Sequence, residues 1–393
     1  MPKINLKKKS KNSLDQKVRI VSLTVTSGCN LACSYCYEKN DLRDSKIMPL
    51  SIAQKTICHY MAEDGFDLLE IHFFGGEPLL GFPFIRDVVD WFHTQSWPKK
   101  HRFLIGTNGT ILTEEMKKWL YKYRKCLYVA LSLDGTKIAH DLNRSNSYDL
   151  VRKNLPFFQK YWWNQPCKMT INGDTIPYVA DGIIELEEMG LLFTANLAYE
   201  NYWGDEANKA KLLEIYEDQL SRLVDYYSEH AHLYPVSPML TAVPEYLGIP
   251  SLDLTKKDDK IQRFCGAGHE MVVIDVDGGK YPCHRFIPWI TGKPAPKDGA
   301  NCQTAWKPEK CAKCKLNPSC PTCAGFNWEI NNDTGIRTTF HCEAFKMEVM
   351  ASCLIEWNRL RHKIDNIDKL ENEDRLRIER RINAIWELID KGI

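Results

Sequence analysis

Between Val18 and Ala198 the chain repeats one pattern six times: a short run rich in β-branched and aromatic residues, then a stretch with helical spacing. VRIVSLTVT (Val18 to Thr26) is the first such run. LLEIHFF (Leu68 to Phe74), HRFLIGTNG (His101 to Gly109) and CLYVALSLDG (Cys126 to Gly135) follow, and two more lie around Lys168 to Asn172 and Leu191 to Ala198. LSIAQKTICHYMAED (Leu50 to Asp64) reads as an amphipathic helix with Ser51 as its N-cap, and FIRDVVDWFHT (Phe84 to Thr94) as a second. Thr113-Glu114-Glu115 opens a third. Strands joined by helices are parallel, because each crossover returns the chain to the same end of the sheet. The expected fold is therefore α/β, a partial (β/α)6 TIM-like barrel over residues 18–235. Ligand groups of such folds sit on the loops that follow the strands.

The loop after the first strand is SGCNLACSYCYEKN (Ser27 to Asn40), with Cys29, Cys33 and Cys36 spaced C-x3-C-x2-C. GGEP (Gly75 to Pro78) follows strand two, TNG strand three and LDG strand four, so all four loops share one rim. Fifteen cysteines is a high number for a chain without a secretory signal or an apolar run near the ~18 residues of a membrane helix. A cytoplasmic place is expected, where thiols stay reduced, so metal or cluster ligation is the leading reading. Lys+Arg 52 against Asp+Glu 51 gives no general pull toward nucleic acid or anionic membrane. Structural zinc takes four protein ligands. No Cys or His beside the triplet completes such a set; Cys58 and His59 fall on the next helix. A [4Fe–4S] cluster normally takes four thiolates, so three leave one iron open to a substrate or cofactor.

These residues carry a family resemblance. Cys29, Cys33 and Cys36, with Tyr35 at the aromatic position, resemble the C-x3-C-x-aromatic-C signature of radical S-adenosylmethionine (SAM) enzymes, and GGEP resembles the family's second motif. The resemblance implies that SAM fills the open iron position and is cleaved to a 5′-deoxyadenosyl radical. It places Gly75, Gly76, Glu77 and Pro78 at the amino end of SAM, Ser132 at the ribose and Arg144 near the methionyl carboxylate. Asn108 matches a recurrent polar position.

Downstream, Cys265, Gly278 and Cys283 follow C-x12-G-x4-C, then come Cys311, Cys314, Cys320, Cys323 and Cys342. This resembles the seven-cysteine SPASM domain, which carries two auxiliary [4Fe–4S] clusters. The implied organisation is a polar tail (1–17), the barrel (18–235), a linker (236–264), a small cysteine-rich SPASM domain (265–345) and C-terminal helices (346–393). In the last, Ile378, Ile382, Ile385 and Ile389 keep helical spacing. Cys265, Cys283 and Cys323 are implied for the first auxiliary cluster, with Cys302, His269 or His284 as a fourth ligand or an open position. Cys311, Cys314, Cys320 and Cys342 are implied for the second. Only two residues separate Cys320 from Cys323 where the pattern has three, which bears on the geometry of one cluster. With the triplet, the cofactors expected are SAM and three [4Fe–4S] clusters. Cys58, Cys126, Cys167 and Cys353 read as core thiols. The competing reading of the paired C-x2-C spacings is a zinc-binding interaction module.

Two chemistries fit the resemblance. Sulfatase-type maturases oxidise a Cys or Ser side chain to an aldehyde, with an aspartate after the cysteine of the G-x4-C element; here that position is His284. The departure favours a maturase of ribosomally made precursor peptides that forms a thioether or carbon–carbon cross-link, with His284 as a base or a cluster ligand. Only Met1 to Lys17 precede strand one, so a leader peptide is expected to bind elsewhere or to be presented by a separate protein. A reducing partner such as flavodoxin or ferredoxin is expected. The loop YENYWGDE (Tyr199 to Glu206) reads as ordinary packing, with a peptide-channel wall as the alternative.

Overall fold

The computed structural model describes residues 17–38, 45–230, 233, 265–296, 308–314, 316–317, 320–364 and 383. The polar tail up to residue 16, the linker 236–264, Cys302 and the four spaced isoleucines lie outside the described residues.

Six parallel strands form in the expected places: β1 (Val18–Thr26), β2 (Leu68–Gly75), β3 (Lys100–Thr107), β4 (Leu127–Leu131), β5 (Cys167–Ile171) and β6 (Phe193–Leu197). Strands β1 to β4 pair in sequence order, and β5 pairs with β6. A bridge between Ser132 and Lys168 joins the two sets. Side-chain alternation decides which face is which. Val21, Leu23 and Val25 on β1, and Leu69, Ile71 and Phe73 on β2, are almost wholly buried. They pair in register, Val21 opposite Ile71 and Leu23 opposite Phe73. This face meets the helices α1 (Leu50–Ala62), α2 (Phe82–Phe92), α3 (Glu114–Tyr123), α5 (Tyr148–Trp162) and α6 (Val179–Glu188), while the short α4 (Lys137–Asn143) lies between β4 and α5 in the chain. The alternate residues, Ser22, Thr24 and Thr26 on β1 and His72 and Phe74 on β2, turn to the lumen.

Two details depart from the sequence reading. Helix α1 starts two residues earlier than Ser51 requires: Pro49 holds the N-cap position with extended backbone and no side-chain cap. Proline fixes φ near the value a helix start needs, so the chain turns without a hydroxyl. The second is a seventh strand. β7 (Met271–Ile274) lies in the cysteine-rich segment and pairs parallel to the free edge of β1, Val21 opposite Val272. A short antiparallel β8 (Lys280–Tyr281) covers its outer side. The cysteine-rich segment is thus built onto the barrel sheet.

A long helix α7 (Glu206–Glu229) packs along the C-terminal helix Cys342–Ile364. Among the described residues no helix is long and apolar enough to cross a membrane. Glu348 is buried in this joint, where its Oε1 accepts a hydrogen bond from the Tyr216 hydroxyl at 2.8 Å. Burial raises its carboxyl to about 7. In the unfolded chain it ionises near ~4.3. Between those values the folded chain holds the extra proton, so stability falls as pH rises through the window. Glu348→Gln removes the titrating group and keeps a neutral acceptor. Urea unfolding of the metal-free protein at pH 5 and pH 8 is expected to show the wild type losing up to roughly 3 kcal/mol more than the variant.

Candidate active site

The loop after β1 and the loop after β2 touch backbone to backbone. Gly76 N–H donates to Thr26 O at 3.0 Å and Glu77 N–H to Gly28 O at 2.9 Å. A Cβ on Gly76 would lie 2.0 Å from Gly28 O, and one on Gly75, whose φ is +123°, 2.3 Å from Thr26 O. Only glycine permits this approach. The GGEP turn is therefore held directly against the cysteine loop.

Glu77 binds the next loop. Its carboxylate is buried and accepts from Leu79 N–H (3.0 Å), the Thr107 hydroxyl (2.8 Å) and Asn108 N–H (2.7 Å). Burial raises its pKa, against these donors. Asn108 Nδ2 donates to Asn30 Oδ1 at 2.9 Å, returning the third loop to the first. Pro78 opens the short 3-10 turn Pro78–Gly81. Ser132 sits at the end of β4, its N–H bonded to Thr107 O at 3.0 Å. The rim groups singled out in the sequence, Gly75, Gly76, Glu77, Asn108 and Ser132, are thus joined through backbone contacts and the Glu77 carboxylate.

The three thiols are partly buried and act on one another. Burial is the main cause that raises each pKa, taking Cys36 to about 11. Neighbouring charge adds to it: Glu77 and Cys33 at Cys29, and Glu38, Cys33 and Cys29 at Cys36. Metal ligation needs thiolates, so loading this loop releases protons. Among the described residues no group of three or more His, Cys, Asp or Glu side chains gathers closely enough to hold one metal ion. A cluster differs, because its thiolates sit on separate irons. Three mutually interacting thiols on one loop fit that spread donor set.

The downstream thiols fall into two groups. Cys283 is raised by burial and then by Cys323 and Cys265. Cys320 is raised to about 12 by burial, with Cys342 and Cys314 among its neighbours, and Cys342 in turn feels Cys311 and Cys314. Cys265, Cys283 and Cys323 thus neighbour one another, as do Cys311, Cys314, Cys320 and Cys342.

Residues missed in the sequence join these groups. Tyr37 feels Cys36 on one side and Cys283 on the other. Arg285 lies over its ring, 4.6 Å from the centroid, and over Phe326 at 5.2 Å. The same guanidinium is buried and pairs with Glu200 and with Glu329, the latter at 3.2 Å. Tyr199 packs against Phe326 and faces Cys323, Cys265 and Cys320. Trp203 is buried, and its Nε1 donates to His341 Nδ1 at 3.0 Å. The 199–206 loop is accordingly packed against the cysteine-rich segment. Adjacency to Cys36 and Cys283 was the one sequence signal for Tyr37 and Arg285.

His284 points into the lumen. Its Nε2 lies 2.9 Å from Ser22 Oγ, and its ring packs on Phe74 at 4.2 Å. Nδ1 is buried without a hydrogen-bond partner among the described residues. Burial, then His72 and Lys168, push its pKa down to about 3. Neutral at pH 7, the ring is a weak proton acceptor in this arrangement.

Replacing Glu77 tests the joint between the loops without any cofactor. Glu77→Ala leaves three donors facing a dry space. The metal-free variant is expected to lose roughly 3 kcal/mol or more in denaturant unfolding. A loss below ~1 kcal/mol would mean the carboxylate does not hold the rim together.

Known proteins share this architecture. The radical SAM superfamily profile matches residues 23–181, from β1 into α6. A cysteine-type anaerobic sulfatase-maturating enzyme of Clostridium novyi (strain NT) is 23% identical over 350 residues, 82% of this chain and 91% of that one. An uncharacterised protein of Methanocaldococcus jannaschii is 33% identical over 116 residues, 30% of this chain and 38% of that protein. Among solved structures, anSMEcpe with bound AdoMet has a TM-score of 0.67 at 18% identity, covering 93% of this chain and 98% of that one. Streptococcus suis SuiB bound to precursor peptide SuiA has a TM-score of 0.53 at 18% identity, covering 83% and 76%. These structures share the fold. Residues 23–181, the part of the barrel that carries the thiol loop and the GGEP turn, match the radical SAM superfamily.

Proposed function

We propose that this enzyme oxidises a peptide or protein substrate. The observation that carries the reading is the parallel pairing of β7 with β1, which sets the rim triplet beside the segment of Cys265 and Cys283, with Arg285 over the Tyr37 ring between them. In this reading Cys29, Cys33 and Cys36 hold the SAM cluster. Cys265, Cys283 and Cys323 hold the first auxiliary cluster, and Cys311, Cys314, Cys320 and Cys342 the second. Gly75, Gly76, Glu77, Asn108 and Ser132 form the SAM-binding rim. When bound, a cluster with SAM supplies a 5′-deoxyadenosyl radical that takes a hydrogen atom from the substrate. The chain's part is to orient and to exclude water. The buried GGEP turn closes the rim, and the lumen residues Ser22, Phe74 and His284 form a tightly packed floor. A small reducing protein, such as a flavodoxin or ferredoxin, supplies electrons.

A peptide or protein substrate is supported by the near full-length likeness to a sulfatase-maturating enzyme and by the likeness to SuiB, solved with a precursor peptide. Of the two chemistries, oxidation of a Cys or Ser side chain to an aldehyde has the broader support. The shared fold covers 98% of anSMEcpe and 76% of SuiB. The cross-linking reading keeps one specific observation: His284 stands where the aldehyde-forming chemistry's aspartate is expected, and it is neutral at pH 7.

Mass spectrometry separates them. The reconstituted protein is incubated anaerobically with SAM, reductant and either a sulfatase-derived cysteine peptide or a candidate precursor peptide encoded beside its gene. Aldehyde on the sulfatase peptide is the expected result. Loss of two hydrogens from the precursor alone would favour the cross-link. SAM cleavage with neither peptide altered would overturn the peptide or protein substrate.

A further inference from the structure

Cys33 is the middle one of the three rim thiols, and the chain that leaves α4 braces the loop on both sides of it. Residues 32–34 and 143–145 run side by side. Ala32 N–H donates to Ser145 Oγ at 3.0 Å, and Ser34 N–H donates to Asn143 O at 2.9 Å. Cys33 and Arg144 are the central residues of these two short segments. Ser145 and Asn146 both take the left-handed conformation, with φ of 55°, and turn the chain sharply after α4. Asn172 Nδ2 donates to Ser34 Oγ at 2.9 Å and braces the same contact from β5.

The Arg144 guanidinium is buried and aimed at this loop. Nε donates to Asp134 Oδ2 at 2.8 Å and Nη2 to Asp134 Oδ1 at 3.3 Å. Asp134 is 1% exposed. It also accepts from the Tyr35 hydroxyl (2.9 Å), Asn143 Nδ2 (3.2 Å) and Thr170 N–H (2.9 Å). The guanidinium lies 5.3 Å from the centre of the Tyr35 ring, and its charge acts on the neighbouring Cys33 thiol, pulling its pKa down against burial. One buried ion pair therefore stands beside the middle thiol and the aromatic residue next to it.

We propose that Arg144 is a positioning residue for the cluster held by the triplet: it fixes Cys33, places a buried positive charge against that sulfur, and Asp134 sets how much of that charge the cluster feels. The inference rests on the assignment of the triplet to a cluster and is independent of the substrate. It differs from the carboxylate-binding part that resemblance gave Arg144, because two of the guanidinium nitrogens already face Asp134. Hydrogen bonds to cluster sulfurs and nearby charge set reduction potentials. A cation beside a ligating thiolate favours the reduced, more negative cluster. Removing the cation makes the cluster harder to reduce. Removing its counter-charge makes it easier.

The test is a spectroscopic redox titration of the reconstituted full chain. The triplet's signal is the component absent from the Cys29→Ala, Cys33→Ala, Cys36→Ala chain. Arg144→Gln is expected to shift its midpoint to more negative potential, and Asp134→Asn to more positive. Arg144→Lys, which keeps the charge, should stay nearer the wild type than the Gln variant; that order decides the matter if Asp134→Asn takes up no iron. Opposite shifts are not what mere loosening of the loop would give. Shifts of one sign, or none, with the cluster retained, overturn the inference. So does loss of SAM binding in Arg144→Gln without a change in potential, which would return the guanidinium to the carboxylate. Absence of the triplet's signal from the wild type would instead count against the ligand assignment itself.

Discussion

The rim of this enzyme depends on how closely two loops approach. Gly76 lets the chain after β2 lie against the carbonyl of Gly28, where any side chain would collide. That contact sets Glu77 beneath the cysteine loop, and Glu77 in turn takes up the donors of the β3 loop. Three consecutive loops are then fixed to one another without a large core at the rim. An acceptor-only carboxylate surrounded by donors suits such a place, since unpaired buried donors are costly.

The second constraint lies at the other edge of β1. Parallel pairing with β7 attaches the cysteine-rich segment to the strand that carries the triplet. Tyr37 leaves the triplet loop and packs on the Val273, Ile287 and Ile290 cluster of the cysteine-rich segment, and Arg285 reaches back over the Tyr37 ring. Sheet pairing thus sets the relation between the first two thiol groups, while Tyr199 faces both of the downstream groups. A buried arginine among thiols is tolerable because Glu200 and Glu329 pair with it.

The six barrel strands and their order in the chain were legible in the sequence, because period-two runs between helical stretches are local signals. The triplet's spacing was legible too, whereas the grouping of the downstream cysteines came only from the resemblance, since Cys320 and Cys323 stand three positions apart yet have different thiol neighbours. β7 was not legible. MVVI is a four-residue run with no alternation, and its pairing with β1 joins residues some 250 positions apart. Asp134 was quoted as part of a turn, and its five contacts come from elements the sequence does not show to be adjacent. His284 was read as a base or ligand from its place beside Cys283. What its neighbours do to it, a neutral ring packed on Phe74 and bonded to Ser22, is a matter of tertiary burial. Ser51 failed as a cap because Pro49 had already turned the chain.

The central claim is that Cys29, Cys33 and Cys36 assemble the site at which SAM is cleaved. The most direct measurement is 5′-deoxyadenosine formation by the anaerobically reconstituted protein under reducing conditions, alongside its iron, sulfide and zinc content. The account predicts iron and sulfide in the wild type and 5′-deoxyadenosine from SAM. It predicts no 5′-deoxyadenosine from a folded chain in which the three cysteines are alanine. Stoichiometric zinc with little iron, or undiminished 5′-deoxyadenosine from the triple variant, would contradict it.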